Sequence, residues 1–162
     1  MKRKRKPSTG EISKYKARMN VDGSKMVKGL HYEETYAPVV QWATIRFFIS
    51  MAILSNWHTR QLDFVLAFTQ ADIERDLYMK LPAGFTVPGR TITEQDRKDY
   101  VLKLEKNLYG QKQAGRVWYQ HLRRNLMKLG FKASNIDECV FYYGRTIFIV
   151  YTDDTILIGP DQ

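Results

Sequence analysis

The stretch Cys139-Val140-Phe141-Tyr142-Tyr143-Gly144-Arg145-Thr146-Ile147-Phe148-Ile149-Val150-Tyr151-Thr152-Asp153-Asp154-Thr155-Ile156-Leu157-Ile158 decides the architecture. Apolar, aromatic and β-branched residues suit a pleated, half-buried surface, and Gly144-Arg145 supplies a break, so the pattern predicts paired strands. Thr152-Asp153-Asp154 interrupts the apolar run a second time before Thr155 resumes it, which puts two carboxylates at the tip of a buried hairpin. Ionised groups beside a core are unfavourable unless a cation or another partner compensates them. The competing reading is an ordinary turn, in which Asp is a favoured residue.

A further carboxylate, Asp63, ends the short strand predicted over residues 59–64, 90 residues before Asp153. If the two strands lie side by side, three carboxylates converge. Hard oxygen ligands at that density select Mg²⁺ or Mn²⁺, and two such ions about 4 Å apart can activate a 3′ hydroxyl and stabilise a leaving pyrophosphate. That is nucleotidyl-transfer chemistry, although spacing alone leaves the ordinary turn open.

Outward from these residues, helical periodicity is clear in two places. Trp42, Ile45, Phe48, Ile49, Ala52 and Ile53 fall at three- and four-residue steps and predict a core helix over 40–56, with Pro38 near its first turn. Trp118, Leu122, Leu126 and Leu129 mark a second helix over 112–129, capped by Gly130, with Arg116, Arg123, Arg124 and Lys128 opposite. Strands are predicted over 77–81 and 100–104, flanking a Gly-, Pro- and charge-rich excursion.

The 162 residues carry 26 Lys plus Arg against 17 Asp plus Glu, with 44% hydrophobic residues, which fits one compact domain. Residues 1–18 hold eight basic residues and one acidic, +7 of the total +9. The start at 2–6 reads as a solvated arm or localisation signal on one side and as a phosphate-binding segment on the other. Lys14-Tyr15-Lys16-Ala17-Arg18-Met19 alternates like a strand with cations on one face, which suits a polyphosphate. One cysteine, Cys139, excludes an internal disulfide, and no Cys/His spacing suits structural zinc. The basic start runs into Pro7-Ser8-Thr9-Gly10, unlike a signal peptide, and the apolar run over 47–54 is too short for a membrane span.

Tyr151-Thr152-Asp153-Asp154 resembles the Y-x-D-D signature of reverse transcriptases, and six segments in order resemble the polymerase of copia-type LTR retrotransposons. The others are Tyr15-Lys16-Ala17-Arg18; Tyr32-Glu33-Glu34-Thr35-Tyr36-Ala37-Pro38-Val39-Val40; Gln61-Leu62-Asp63 with Ala67-Phe68; Leu77-Tyr78-Met79 with Pro82-Ala83-Gly84-Phe85; and Leu108-Tyr109-Gly110 with Lys112-Gln113-Ala114, Arg116 and Trp118-Tyr119. Departures include Gly115 where the family has Pro, Gln111 where it usually has Leu and Thr152 where it commonly has Val; none removes a carboxylate.

The resemblance implies an α+β fold: a polymerase palm whose antiparallel sheet is backed by helices, with part of a fingers subdomain. It implies a basic arm over 1–13 and a fingers/palm fragment over 14–162, truncated before the thumb. Asp63, Asp153 and Asp154 would be the catalytic set. Asp63, Asp153 and the Phe64 carbonyl would lead in holding two Mg²⁺ or Mn²⁺ ions, with Asp154 the less direct ligand. Lys16 and Arg18 would meet the triphosphate, Phe68 would sit under the sugar, Tyr109 and Gly110 would line the nucleotide pocket, and Lys112 and Arg116 would touch template.

The implied function is an RNA-directed DNA polymerase, with RNA template, DNA or tRNA primer and deoxynucleoside triphosphates as partners and no membrane. In the family the polymerase continues into a primer-gripping segment, thumb and RNase H domain, with protease and integrase upstream. A thumbless palm is expected to hold primer-template poorly and to show little activity alone. The alternative is a noncatalytic nucleic-acid-binding remnant of such an element. The family works in cytoplasmic virus-like particles, and residues 2–6 could add nuclear import.

Overall fold

The structure, a computed structural model, describes residues 2–16 and 18–160, without the side chains of 2–4, 14 and 16. Its centre is a five-stranded antiparallel sheet in the order β3-β9-β8-β7-β6, built from β3 (His58–Asp63), β6 (Lys132–Ala133), β7 (Val140–Tyr143), β8 (Thr146–Tyr151) and β9 (Asp154–Gly159). Two ribbons accompany it: β1 (Lys2–Arg5) with β2 (Ile12–Lys16), and β4 (Asp72–Lys80) with β5 (Val101–Lys106). Among the described residues, four α-helices complete an α+β arrangement: α1 (Trp42–Leu54), α2 (Ala67–Gln70), α3 (Asp96–Asp99) and α4 (Ala114–Lys128). Among the described residues, no helix is long and apolar enough to cross a membrane.

The hairpin predicted from residues 139–158 is present. Two-residue turns join β7 to β8 at Gly144, where φ is +56°, and β8 to β9 at Thr152, where φ is +60°. Left-handed backbone at the first turn residue matches the twist of the flanking strands. Gly144 adopts it freely, whereas a β-branched Thr does so against steric resistance. Phe141, Ile149, Val150 and Ile158 are buried at the sheet centre, together with Phe48 and Ala52 of α1 and Trp118, Leu122 and Leu126 of α4.

The helices follow the predicted periodicity with corrections. α1 starts at Trp42, beyond Pro38, because the buried Asp137 carboxylate accepts from the Gln41 N–H at 3.2 Å and the Thr44 hydroxyl at 2.8 Å and so fixes the first turn. On α1 only Phe48 and Ala52 are buried, while Trp42, Ile49 and Ile53 are exposed. α4 buries Trp118, Leu122 and Leu126 as predicted, but Leu129 lies past its end and is exposed. Gly130 follows in left-handed backbone, as its predicted capping role requires.

The basic start, read as an arm, is half of a ribbon. β1 pairs with β2 from Lys2 opposite Lys16 to Arg5 opposite Ile12, and the Lys6 N–H donates to the Glu11 carbonyl at 2.9 Å. β2 is described as far as Lys16; of the strand predicted to Met19, Ala17 lies outside the described residues, and Arg18 and Met19 are not in a strand. β4 begins five residues before the predicted strand at 77, and Arg75 on it donates to the Gly29 carbonyl at 2.8 Å and pairs with Glu33 at 2.6 Å.

The excursion over 82–99 is organised by Asp96. Its carboxylate accepts from the Thr93 N–H and hydroxyl, each at 2.8 Å, and from Arg90. The Thr93 N–H first, then its hydroxyl, hold the carboxyl below the usual range, and Arg90 adds to the effect. A carboxylate lowered on folding stabilises the fold above its unfolded pKa, and the contribution fades as pH falls through the lowered value. Limited proteolysis of 82–99 is therefore expected to be slow at neutral pH and to quicken on acidification below the ordinary carboxylate range. Asp96→Asn should show faster cleavage at neutral pH and a flatter profile.

Candidate active site

β3 and β9 bring the distant carboxylates together. Asp63, the last residue of β3, lies directly opposite Asp154, the first of β9, in the strand register, and Asp153 is in the turn. The adjacent backbone locks this placement, since the Phe64 N–H donates to the Asp153 carbonyl at 3.1 Å. Opposite residues of an antiparallel pair project to one face. Asp154 lines a groove of about 610 Å³ under α1 with Trp42, Ile45, Ile149 and Tyr151. Asp63 and Asp154 are exposed and Asp153 is half-buried. Among the described residues, the three carboxylates accept no hydrogen bond and form no ion pair, and no three acidic, His or Cys side chains converge tightly enough to hold a metal ion. Backbone placement is thus achieved without side-chain convergence.

Within electrostatic reach of Asp153 and Asp63 stands Tyr109. Its ring lies 4.7 Å, centroid to centroid, from Phe68, and the Arg18 guanidinium sits over it at 5.3 Å. Burial pushes the Tyr109 hydroxyl up, the charges of Asp153 and Asp63 push it the same way, and Arg18 opposes them. Arg18, Phe68 and Tyr109 therefore form one cluster within electrostatic reach of Asp63 and Asp153. Phe68 reaches it from α2, whose entry at Leu66 is left-handed with φ +55°.

Gly110 plays a role the sequence did not reveal. At φ +90°, a Cβ there would sit 2.1 Å from the Val21 carbonyl oxygen, and a Cβ on Gly23 would sit 2.1 Å from the Gly110 carbonyl oxygen. The two glycines let the loop after β2 lie flat on residues 109–110, where the Val21 N–H donates to the Tyr109 carbonyl at 2.8 Å. At Gly110 the close neighbour is thus this chain's own backbone at Val21.

Lys112 and Arg116 lie outside this cluster. Lys112 sits over the Tyr32 ring at 5.7 Å, and Arg116 donates to both Glu74 carboxylate oxygens at 3.0 and 3.1 Å, tying α4 to β4. The Lys16 side chain lies outside the described residues. Cys139 is buried, and its thiol is pushed up to about 12, so it stays protonated at neutral pH.

A sheet that pairs Asp63 with a Y-x-D-D hairpin is the arrangement expected of a template-directed polymerase, and comparison with known proteins agrees. Residues 2–162 match the family described as reverse transcriptase (RNA-dependent DNA polymerase), and the chain belongs to that family. It is 40% identical over 158 residues to the Retrovirus-related Pol polyprotein from transposon RE1 of Arabidopsis thaliana, covering 95% of this chain and 10% of that protein. The corresponding polyprotein from transposon RE2 of the same plant is 39% identical, with the same coverage of both chains. That from transposon TNT 1-94 of Nicotiana tabacum is 34% identical, covering 94% of this chain and 11% of that protein. The chain thus spans about a tenth of the length of these relatives. No solved structure matches it.

Proposed function

We propose that this chain is the palm and part of the fingers of an RNA-directed DNA polymerase from a copia-type retrotransposon, acting on an RNA template and a DNA or tRNA primer. The observation that carries the reading is the pairing of Asp63 with Asp154 at the mouth of the turn that holds Asp153. The donor set fits hard divalent cations: three carboxylates with no protein cation bonded to them among the described residues, plus the nearby Phe64 carbonyl. Asp63, Asp153 and that carbonyl would hold the ions most directly, with Asp154 further off. Bound there, two Mg²⁺ ions would supply activation of a 3′ hydroxyl and stabilisation of the leaving pyrophosphate.

The chain's own groups do the rest. Arg18, held over Tyr109, would offset charge on the triphosphate, with Lys16, the last residue of β2, as the second cation assigned to it. Phe68, packed on Tyr109, presents a ring where a ribose 2′ hydroxyl would crowd it, which favours deoxynucleotides. Lys112, just before α4, and Arg116, in its first turn, would touch the template. Deoxynucleoside triphosphate binding in Mg²⁺, followed by equilibrium dialysis, is expected to weaken about tenfold or more in Arg18→Ala, the loss of a hydrogen bond to a charged group. Phe68→Ala should narrow the preference for deoxy- over ribonucleotide. Affinity that ignores Arg18 and a preference that ignores Phe68 would contradict this assignment.

The dispersed carboxylate side chains favour a second reading, a noncatalytic nucleic-acid-binding domain. It predicts salt-sensitive RNA binding that is indifferent to the three aspartates.

A further inference from the structure

We propose that Trp118 is a positioning residue that holds the aspartate turn in register with Asp63; the inference rests on the reading of these carboxylates as the catalytic set. Trp118 lies in the middle of α4, 2% exposed, and its indole N–H donates to the Thr152 carbonyl at 2.7 Å. Thr152 is the residue whose φ of +60° turns the hairpin, and its side chain is exposed. The next carbonyl, Asp153, accepts from the Phe64 N–H at 3.1 Å. Both carbonyls of the turn are therefore held from outside the hairpin, one by a helix and one by the residue following Asp63.

The two holding groups are coupled. The Phe64 ring stands edge-on to the Trp118 ring, with centroids 5.1 Å apart at 67°. His121 also stacks on Trp118 at 6.0 Å and 20°, so the indole contacts two further rings. A buried indole N–H needs a partner, and here that partner is the one carbonyl whose orientation sets where Asp153 points. A turn residue in left-handed backbone resists its own conformation and persists only where its surroundings fix it. The indole bond and the Phe64 amide provide that fixing, in the way that outer groups orient ligands of a metal site.

The test compares the unmodified chain with Trp118→Phe, which keeps an aromatic ring and removes the donor. A second variant carries the benzothienyl analogue of tryptophan, which replaces N–H by sulfur at nearly constant shape and preserves folding if Phe does not. Hydrogen exchange is read at the Phe64 amide, with the Ile156 amide as reference for the sheet. Mn²⁺ affinity is read by paramagnetic broadening of the turn resonances, with Asp63→Asn as the control for the site. Protection at Phe64 is expected to fall about tenfold more than at Ile156, the loss of one hydrogen bond. Mn²⁺ affinity is expected to fall about 10- to 100-fold, as when an outer partner is lost. Equal changes at Phe64 and Ile156, or unaltered Mn²⁺ affinity with a loosened turn, would overturn the proposal. If the unmodified chain shows no Asp63-dependent Mn²⁺ effect, the carboxylate reading itself fails, and the functional role of Trp118 falls with it even where exchange reveals a held turn.

Discussion

Gly110→Ala lowers Tm by about 10 °C, the shift that follows from a loss of about 2–4 kcal/mol in a domain of this size. Three physical effects compose that loss. Left-handed backbone costs a residue bearing a Cβ about 1–2 kcal/mol. The added Cβ would overlap the Val21 carbonyl oxygen at 2.1 Å, a backbone atom that cannot swing aside as a side chain end can. Moving the loop away then breaks the bond from the Val21 N–H to the Tyr109 carbonyl, worth about 0.5–1.5 kcal/mol net. The same displacement shifts Tyr109 from under Arg18 and away from Phe68, so nucleotide affinity should fall with stability. A Tm within about 2 °C of the unmodified chain would show that the loop yields without cost, contrary to the packing described.

Asp63→Asn and Asp153→Asn are expected to act in the opposite way, silent in folding and severe in chemistry. Neither carboxylate bonds another described residue, and Asp63 faces a like charge, Asp154, directly across the sheet. Removing a charge there relieves repulsion, because like charges directly opposite are destabilising. Tm should hold or rise slightly. Nucleotidyl transfer should fall at least about 10³-fold, the scale of losing one preorganised electrostatic group at the reacting centre. Asp154→Asn should cost less, since Tyr109 feels the charges of Asp153 and Asp63 while Asp154 lines the groove under α1. Thermal unfolding and single-turnover extension, run on the same preparations, separate the two effects. A collapse of Tm in either variant would make these aspartates structural.

The sequence made some of this architecture legible and left the rest hidden for physical reasons. The β7-β8-β9 strands could be read because strand-forming residues run unbroken between two turn signals. That three carboxylates converge if the strand of Asp63 lies beside the hairpin was a conditional expectation: β3 does lie beside β9, with Asp63 opposite Asp154, but among the described residues the side chains do not converge. α1 defeated a simple reading of its buried face: it is apolar almost all round, so a three- and four-residue period fits several faces and only packing selects Phe48 and Ala52. β1 was hidden because charge argued for a solvated arm, while pairing with β2 is made by main-chain groups that composition does not report.

The same division runs through the candidate site. Motif residues named Arg18, Phe68 and Tyr109, which the structure gathers into one cluster within electrostatic reach of Asp63 and Asp153. Nothing in a single sequence shows that the Trp118 indole reaches Thr152, 34 residues away, because a buried indole has many candidate acceptors. Nor does it show that Gly110 answers to Val21. A glycine advertises freedom of backbone, and its neighbour in space decides what that freedom is for. Arg116 illustrates the converse, since a cationic helix face in the sequence does not show that this side chain is bonded to Glu74.

The most direct measurement is Mg²⁺-dependent extension of a DNA primer on an RNA template, made with this chain and with Asp153→Asn side by side. The account predicts slow extension that requires Mg²⁺ and vanishes in the variant. Extension from neither, with salt-sensitive template binding retained by both, would contradict it and leave a domain that binds nucleic acid without copying it.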